Sequence, residues 1–254
     1  MRKIVIIPAR LSSSRLPRKV LLDLGGKSVV QRVYEQVKKA KNIDDVYIAT
    51  DSIEVRDVCT KFTENIILTS KDHESGTDRI AEAVKQIECD VVINVQGDEP
   101  FIEPKLIDEL ALIFEQDNDV NMASAMHKIA LVDDLKNPNV VKVILNKNNE
   151  AIYFSRSIIP HHRDEWDTLL NHHTTIPSSL HFYRHLGIYA YTKTFLLQYA
   201  QMEMTYLERL EKLEQLRVIE NGYKIRMVET AYESIGIDTQ TDYEKAVKMV
   251  CKYD

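Results

Sequence analysis

Glycine is scarce here: 254 residues contain only seven. No GxGxxG follows the first apolar run, which excludes the glycine-built dinucleotide cradle of a dehydrogenase. GxxxxGK(S/T) is missing too, which excludes a P-loop NTPase. Cysteine is sparser still. Cys59, Cys89 and Cys251 are odd in number and widely spaced, so they read as buried free thiols of a reducing compartment. No apolar stretch approaches the ~20 residues of a membrane span, and the chain enters its first strand without a signal-peptide pattern. A cytoplasmic protein with no membrane partner is therefore expected. A broad basic face is also lacking. The net charge of −6 speaks against a nucleic-acid partner. Composition is otherwise that of a soluble globular chain, with 44% hydrophobic and 28% charged residues and enough length for a sizeable core.

What is present is ordered. Short β-branched runs recur at 4–7, 46–49, 65–68 and 91–95. Between them, Val30, Val33, Tyr34 and Val37 share a face at helical spacing, as do Ile80, Ala83, Val84 and Ile87. This alternation predicts an α/β fold, a mostly parallel (mixed) twisted sheet with helices on both faces. Ligands of such sheets sit at the carboxyl ends of the strands. In the second half, 140–145 and 151–155 read as consecutive strands and 186–191 as another. Residues 206–222 read as one helix capped at Gly222, 223–230 as a strand, and the tail from Thr241 as a helix. The stretch 156–183 reads as a loop without periodicity of its own. No repeat or linker is visible, so 1–254 reads as a single domain with a loop-rich region around 125–200.

Chemistry gathers at three places. The first nineteen residues carry six basic groups and no acidic one. Arg10, Arg15, Arg18 and Lys19 crowd a serine-rich loop just after the first strand, which breaks at Pro8. Guanidinium forks and a mobile ammonium suit polyphosphate there; a solvated charged loop is the bland alternative. VINVQGDEP (92–100) carries Gln96, Gly97, Asp98 and Glu99 to a second strand end, where a carboxylate is costly unless paired or metal-bound. Neither Asp98 nor Asp238, in GIDT (236–239), has a cationic partner nearby in sequence. Each reads equally as a Mg2+ ligand or as a helix cap, with Thr239 or Thr241 as rival caps for the last helix. HESGTDR (73–79) sets Ser75 and Gly76 before a helix, with Asp78 and Arg79 in its first turn. That is a site for phosphate or a ligand carbonyl, or an ordinary capped start. Six of the eight histidines fall between 161 and 185. With no nearby cysteine and no HExxH, they read as a polar lid rather than a zinc site.

Taken in order, these motifs resemble one family, 3-deoxy-manno-octulosonate cytidylyltransferase, or CMP-Kdo synthetase. The matching pieces are IPAR…SxRLPxK (7–19), ATD (49–51), SGTDR (75–79), NVQGDEP (94–100) and NPNVVKVIL (137–145). YFSRSIIP (153–160), RHLGIYAY (184–191), LEKLEQLRVIENGYKI (210–225) and GIDT (236–239) complete them, over nearly the whole chain. The departure is RLPRKV, where the family reads RLPGKP, so that Arg18 stands for a glycine. The 156–183 stretch is also longer than the family's.

The resemblance implies a Rossmann-like nucleotidyltransferase fold, with sugar binding and dimerisation around 125–200, and a homodimer. It implies an enzyme that uses CTP and Mg2+ to convert a 3-deoxy sugar acid, Kdo, to CMP-Kdo and pyrophosphate for lipopolysaccharide assembly. By the same resemblance, Ala9, Arg10, Lys19, Ser75, Gly76, Arg79 and Gln96 bind the nucleotide, with Arg10 and Lys19 on its triphosphate. Asp98 and Asp238 hold magnesium and, with Lys19, form the catalytic set. Arg15, Gln96, Arg156, Arg163, His185, Tyr189, Glu214 and Gln215 surround the sugar acid, Arg156 being expected on its carboxylate. The rivals are a cytidylyltransferase for 8-amino-Kdo or a sialic-type acid, and a non-catalytic nucleotide-binding protein on the same fold. The HLGIY and LEQLR pair speaks against a sialic-type enzyme, and the presence of both Asp98 and Asp238 against a non-catalytic one.

Overall fold

Ile4, Val5, Ile6 and Ile7 are all fully buried, as are Val91, Val92 and Ile93. Unbroken apolar runs of this kind belong to strands covered on both faces. The structure is a computed structural model that describes residues 1–254 except Ser14, Glu74, Ser234 and Asp254, with only the backbone of 251–253. Its strands are β1 (Lys3–Pro8), β2 (Asp45–Thr50), β3 (Ile66–Leu68), β4 (Val91–Asn94), β5 (Met122–Lys128), β6 (Lys142–Leu145), β7 (Ala151–Ser155), β8 (Tyr183–Thr192) and β9 (Arg226–Glu229). Its helices are α1 (Val29–Val37), α2 (Ile53–Cys59), α3 (Gly76–Val84), α4 (Pro104–Gln116), α5 (Val132–Lys136), α6 (Trp166–His172), α7 (Lys193–Tyr199), α8 (Tyr206–Glu211), α9 (Gln215–Glu220) and α10 (Gln240–Tyr253). A 3-10 turn spans Lys19–Leu21.

Among the described residues the nine strands form one mixed sheet in the order β3-β2-β1-β4-β8-β5-β9, with β6 beside β8 and β7. The side from β3 to β4 is parallel. β8 runs antiparallel to β4, β5 and β6. Alternate residues serve opposite faces. Val5, Ile7, Val91 and Ile93 pack with Val30, Val33 and Val37 of α1 and Leu106 and Leu110 of α4. Ile4, Ile6 and Val92 join Ile80, Ala83 and Val84 of α3 and Phe195 and Leu196 of α7. The expected helices on both faces are there.

Two expectations need correction. The single helix expected over 206–222 is broken into α8 and α9 at Lys212, which takes a left-handed backbone at φ 54° and ψ 48°. Buried Glu208 ties the two sides of the break together. Its carboxylate accepts from the Thr205 N–H at 3.2 Å and from Arg217 Nε and Nη2 at 2.8 and 2.6 Å, folding α9 back across α8. The stretch 156–183, expected as a loop, contains α6. Leu169 there packs with Ile129, Val132, Leu135, Val140 and Phe182 in a cluster of its own. A seven-residue helix is too short to register as periodicity. The region 125–200 is therefore mostly strand and helix rather than loop. Of the thiols, Cys59 is buried and Cys89 half-buried, while the side chain of Cys251 lies outside the described residues.

Glu208→Ala should strip the Arg217 guanidinium of its two-point partner. The expected loss is about 3–5 kcal/mol of unfolding free energy, read by urea titration. A loss within experimental error would mean that the helix break does not depend on this pair.

Candidate active site

The loop after β1, the start of α2 and the turn after β4 enclose a cleft of about 1230 Å³ at the strands' carboxyl ends. Gly97 permits its floor. A Cβ at that position would lie 2.7 Å from the Pro8 carbonyl oxygen, so only glycine lets the β4 turn press against the end of β1. Ala9 is buried beside it, its N–H donating to the Ala49 carbonyl at 2.9 Å. Arg10, Arg15, Lys19, Gln96, Asp98 and Asp238 all line the cleft. Ser12 and Ser13 do so as well, and Ser14 lies outside the described residues.

Lys19 holds the centre. Its ammonium donates to the Asp98 carboxylate and, at 2.8 Å, to Asp238 Oδ1. Arg15 Nη2 lies 3.1 Å from Asp238 Oδ2. Burial alone would lower the Lys19 pKa, but Asp98 and then Asp238 outweigh it and hold the pKa above its ordinary value, so the group stays charged. The two carboxylates thus have a cationic partner that their sequence neighbours do not reveal. Neither is a helix cap. Glu103 caps α4, and Thr239 closes the first turn of α10 by exchanging bonds with Asp242. Asp238 is delivered by Ile237, whose N–H donates to the Asp98 carbonyl at 2.9 Å and whose side chain is buried with Leu16, Leu24 and Ala246.

Arg18 has φ 59° and ψ 24°, a left-handed backbone that glycine adopts most readily, and its guanidinium pairs with Glu54 at the start of α2. The loop therefore keeps a glycine-like path without a glycine. Ser75 caps α3, accepting from the Asp78 N–H at 3.1 Å and donating to its carboxylate at 2.9 Å. Gly76 sits where a Cβ would be 4.0 Å from Gln96 Oε1. Arg79 corrects expectation. It is fully buried, donating to Asp51 at 2.8 Å, Thr69 Oγ1 at 2.6 Å and the Ser70 carbonyl at 3.2 Å. Among these partners Asp51 lines the cleft.

A second group adjoins the first. Asn94 of β4 pairs with Tyr189 of β8 and accepts from Gln96 Nε2 at 3.1 Å. The Tyr189 hydroxyl donates to Gln215 Oε1 at 3.2 Å, and Gln215 Nε2 lies 3.5 Å from His185 Nδ1. Glu214, open to solvent on one side, accepts from Thr77 Oγ1 at 2.9 Å. Crowding by protein, reinforced by Asp78, raises its pKa against the effect of that bond. The broken helix is what turns Glu214 and Gln215 toward β8. Arg156 serves the break. Its Nε donates to the Glu211 carbonyl at 2.7 Å, and its other nitrogens lie 3.2 and 3.5 Å from the carbonyls of Pro138 and Lys212. The guanidinium expected on the sugar's carboxylate is thus also bonded to backbone carbonyls of the protein. Arg163 is exposed before α6 and is not part of the cleft lining.

Sequence reasoning missed Ser124, fully buried on β5, whose Oγ lies 2.8 Å from His185 Nε2. A lone hydroxyl inside the apolar run NMASAM was its signal. Among the described residues no three His, Cys, Asp or Glu side chains gather to hold a metal, so Asp98 and Asp238 stand as a pair. No described helix is long and apolar enough to cross a membrane.

Burial pushes the His185 imidazole down to about 3, from an ordinary 6.5. Below the ordinary value the unfolded chain takes a proton that the folded chain refuses. Stability should therefore be intact above pH 6.5 and fall as pH drops towards 3, by at most about 1.4 kcal/mol per pH unit from this group. Urea unfolding of the wild type and of His185→Gln should show a shallower acid slope in the variant. Identical slopes would mean that His185 accepts its proton when folded.

The cytidylyltransferase family model matches residues 4–225. The 3-deoxy-manno-octulosonate cytidylyltransferase of Geobacter metallireducens is 44% identical over 253 residues, covering 100% of this chain and 99% of its own. That of Francisella tularensis is 45% identical over 249 residues, 96% and 97% of the two chains. A solved CMP:2-keto-3-deoxy-manno-octonic acid synthetase complexed with CTP superposes with a TM-score of 0.92 over 100% of both chains at 36% identity. A 4-diphosphocytidyl-2C-methyl-D-erythritol synthase from Anaerococcus prevotii, 17% identical with a TM-score of 0.61, shares the fold. With such likeness along its full length, the chain belongs to the 3-deoxy-manno-octulosonate cytidylyltransferase family.

Proposed function

We propose that this protein transfers the cytidylyl group of CTP to the anomeric 2-hydroxyl of Kdo, giving CMP-Kdo and pyrophosphate for lipopolysaccharide assembly. The observation that carries this reading is the meeting of Lys19, Asp98 and Asp238 in a cleft roomy enough for a nucleoside triphosphate. Asp98 and Asp238 would hold Mg2+. They are hard oxygen donors already gathered round one cation, and no helix uses either as a cap. Magnesium bound there would neutralise phosphate charge and lower the pKa of a coordinated hydroxyl.

The chain's own groups supply position and charge. Arg10 and Lys19 take the β- and γ-phosphates, and their attraction grows as pyrophosphate develops its charge, so they favour the transition state over the ground state. Ser75, Gly76 and Gln96 flank the nucleotide, with Arg79 stiffening that wall through Asp51. His185, Tyr189, Glu214 and Gln215 face the sugar acid, Arg15 offers its carboxylate a cation, and Arg156 holds the wall in place. The 2-hydroxyl then attacks the α-phosphorus in line, a reaction that depends mainly on orientation and charge stabilisation. The same reading places the enzyme in the cytoplasm, in keeping with its free thiols. It also makes the enzyme a homodimer. Exposed Tyr206 and Leu210, one turn apart on α8, suit the cover of a second copy.

Pyrophosphate release from CTP with Kdo, 8-amino-Kdo and a sialic acid, each with and without Mg2+, tests the reading. Release with Kdo and Mg2+ is expected, and none with that combination would overturn it. Asp98→Asn and Asp238→Asn should each lower kcat by about 10²- to 10³-fold without unfolding the protein. Near-wild-type turnover at saturating Mg2+ would remove either from the metal site. Lys19→Ala should reduce kcat more than CTP affinity. Intact turnover with equally weakened CTP and CDP binding would instead mark Lys19 as a ground-state tether.

A further inference from the structure

β5 and β8 fall out of step at one point. Ser124 pairs with Tyr189, but the next residue, Ala125, pairs with Leu186, which leaves Gly187 and Ile188 as extra residues on β8. Such a bulge takes carbonyls out of the ladder and re-aims side chains. Here the Ser124 hydroxyl meets the carbonyls: its Oγ lies 2.8 Å from the Ile188 oxygen and 3.3 Å from that of Leu186. The same Oγ is 2.8 Å from His185 Nε2.

A hydroxyl has one proton to give. Once that proton goes to a bulge carbonyl, Oγ can only accept from the imidazole, so Nε2 carries the ring's hydrogen and Nδ1 is bare. The group facing Nδ1 is the Gln215 amide nitrogen, a donor. Its Oε1 is thereby left for the Tyr189 hydroxyl. The bonds run in a single direction, from Tyr189 through Gln215, His185 and Ser124 to the β8 backbone. The opposite tautomer would set Nδ1–H against the amide's N–H. The amide would have to flip, and Tyr189 would lose its acceptor.

We infer that Ser124 is a positioning residue: anchored on the β8 bulge, it fixes His185 as the Nε2–H tautomer and so sets the hydrogen-bond polarity of the wall formed by Gln215 and Tyr189. That wall then offers a hydroxyl oxygen that accepts and a second amide hydrogen that donates. The pair matches a sugar hydroxyl, which does both. The inference rests on the sugar-acid reading of the site given above.

Nitrogen-15 NMR of histidine-labelled enzyme, free of substrate at neutral pH, tests it directly, with the His185 signals assigned through His185→Gln. A protonated Nε2 and a bare Nδ1 are expected. An Nδ1–H signal, or an average of two tautomers, would overturn the inference without any Ser124 variant having to fold. In Ser124→Ala the ring should lose its fixed tautomer. KM for the sugar acid should then rise about 2- to 13-fold, the worth of one misdirected hydrogen bond, with KM for CTP unchanged. A variant that keeps the Nε2–H signal and weakens both substrates alike would show a structural role only and overturn the inference. The pyrophosphate assay judges the function separately. The expected spectrum without turnover of any sugar acid would strike the sugar-acid reading and not the tautomer.

Discussion

One ammonium group holds together three remote parts of the chain. Lys19 is 79 residues from Asp98 and 219 from Asp238, yet it donates to both. Two carboxylates sharing one partner repel each other, and the cation between them offsets that cost. The contact needs the 3-10 turn at Lys19–Leu21, the β4 turn pressed onto β1 at Gly97, and the Ile237 anchor that lays the last loop over Asp98.

The walls around this centre rest on polar side chains that bond to other groups of the protein. Arg79 ties Asp51 to the loop after β3. Lys142 donates to the carbonyls of Asn137, Val140 and Arg156 at 3.0, 2.7 and 2.6 Å, and burial lowers its pKa. Arg156 and the Glu208–Arg217 pair shape the α8–α9 break. A buried polar group left unmatched costs about 1–3 kcal/mol, so each of these groups specifies a loop path as well as stabilising it. The strand-end cleft and the β8 wall keep their relative placement because Asn94 and Tyr189 are ladder partners.

Much of this was legible in the residues. Apolar alternation located the early strands and helices, since burial on both faces leaves a continuous β-branched run and burial on one leaves helical spacing. The concentration of basic groups after β1 marked the cleft, because charge gathered at a strand end has few uses besides a charged ligand. The order of the motifs was enough to suggest the family. Short or interrupted elements escaped. α6 has too few residues to show a period, and the break at Lys212 lies inside a run whose periodicity continues through it.

What the sequence determined by itself was local: which segments are strands or helices, which face of each is apolar, and where charge collects. Tertiary structure alone decided partnership. It paired Lys19 with two distant aspartates, gave Arg79 and Arg156 partners within the protein, and placed Ser124 beside His185. The reason is physical. Periodicity and propensity act over a few residues, whereas a hydrogen bond is made by whichever groups packing brings within about 3 Å, however far apart they stand in the chain.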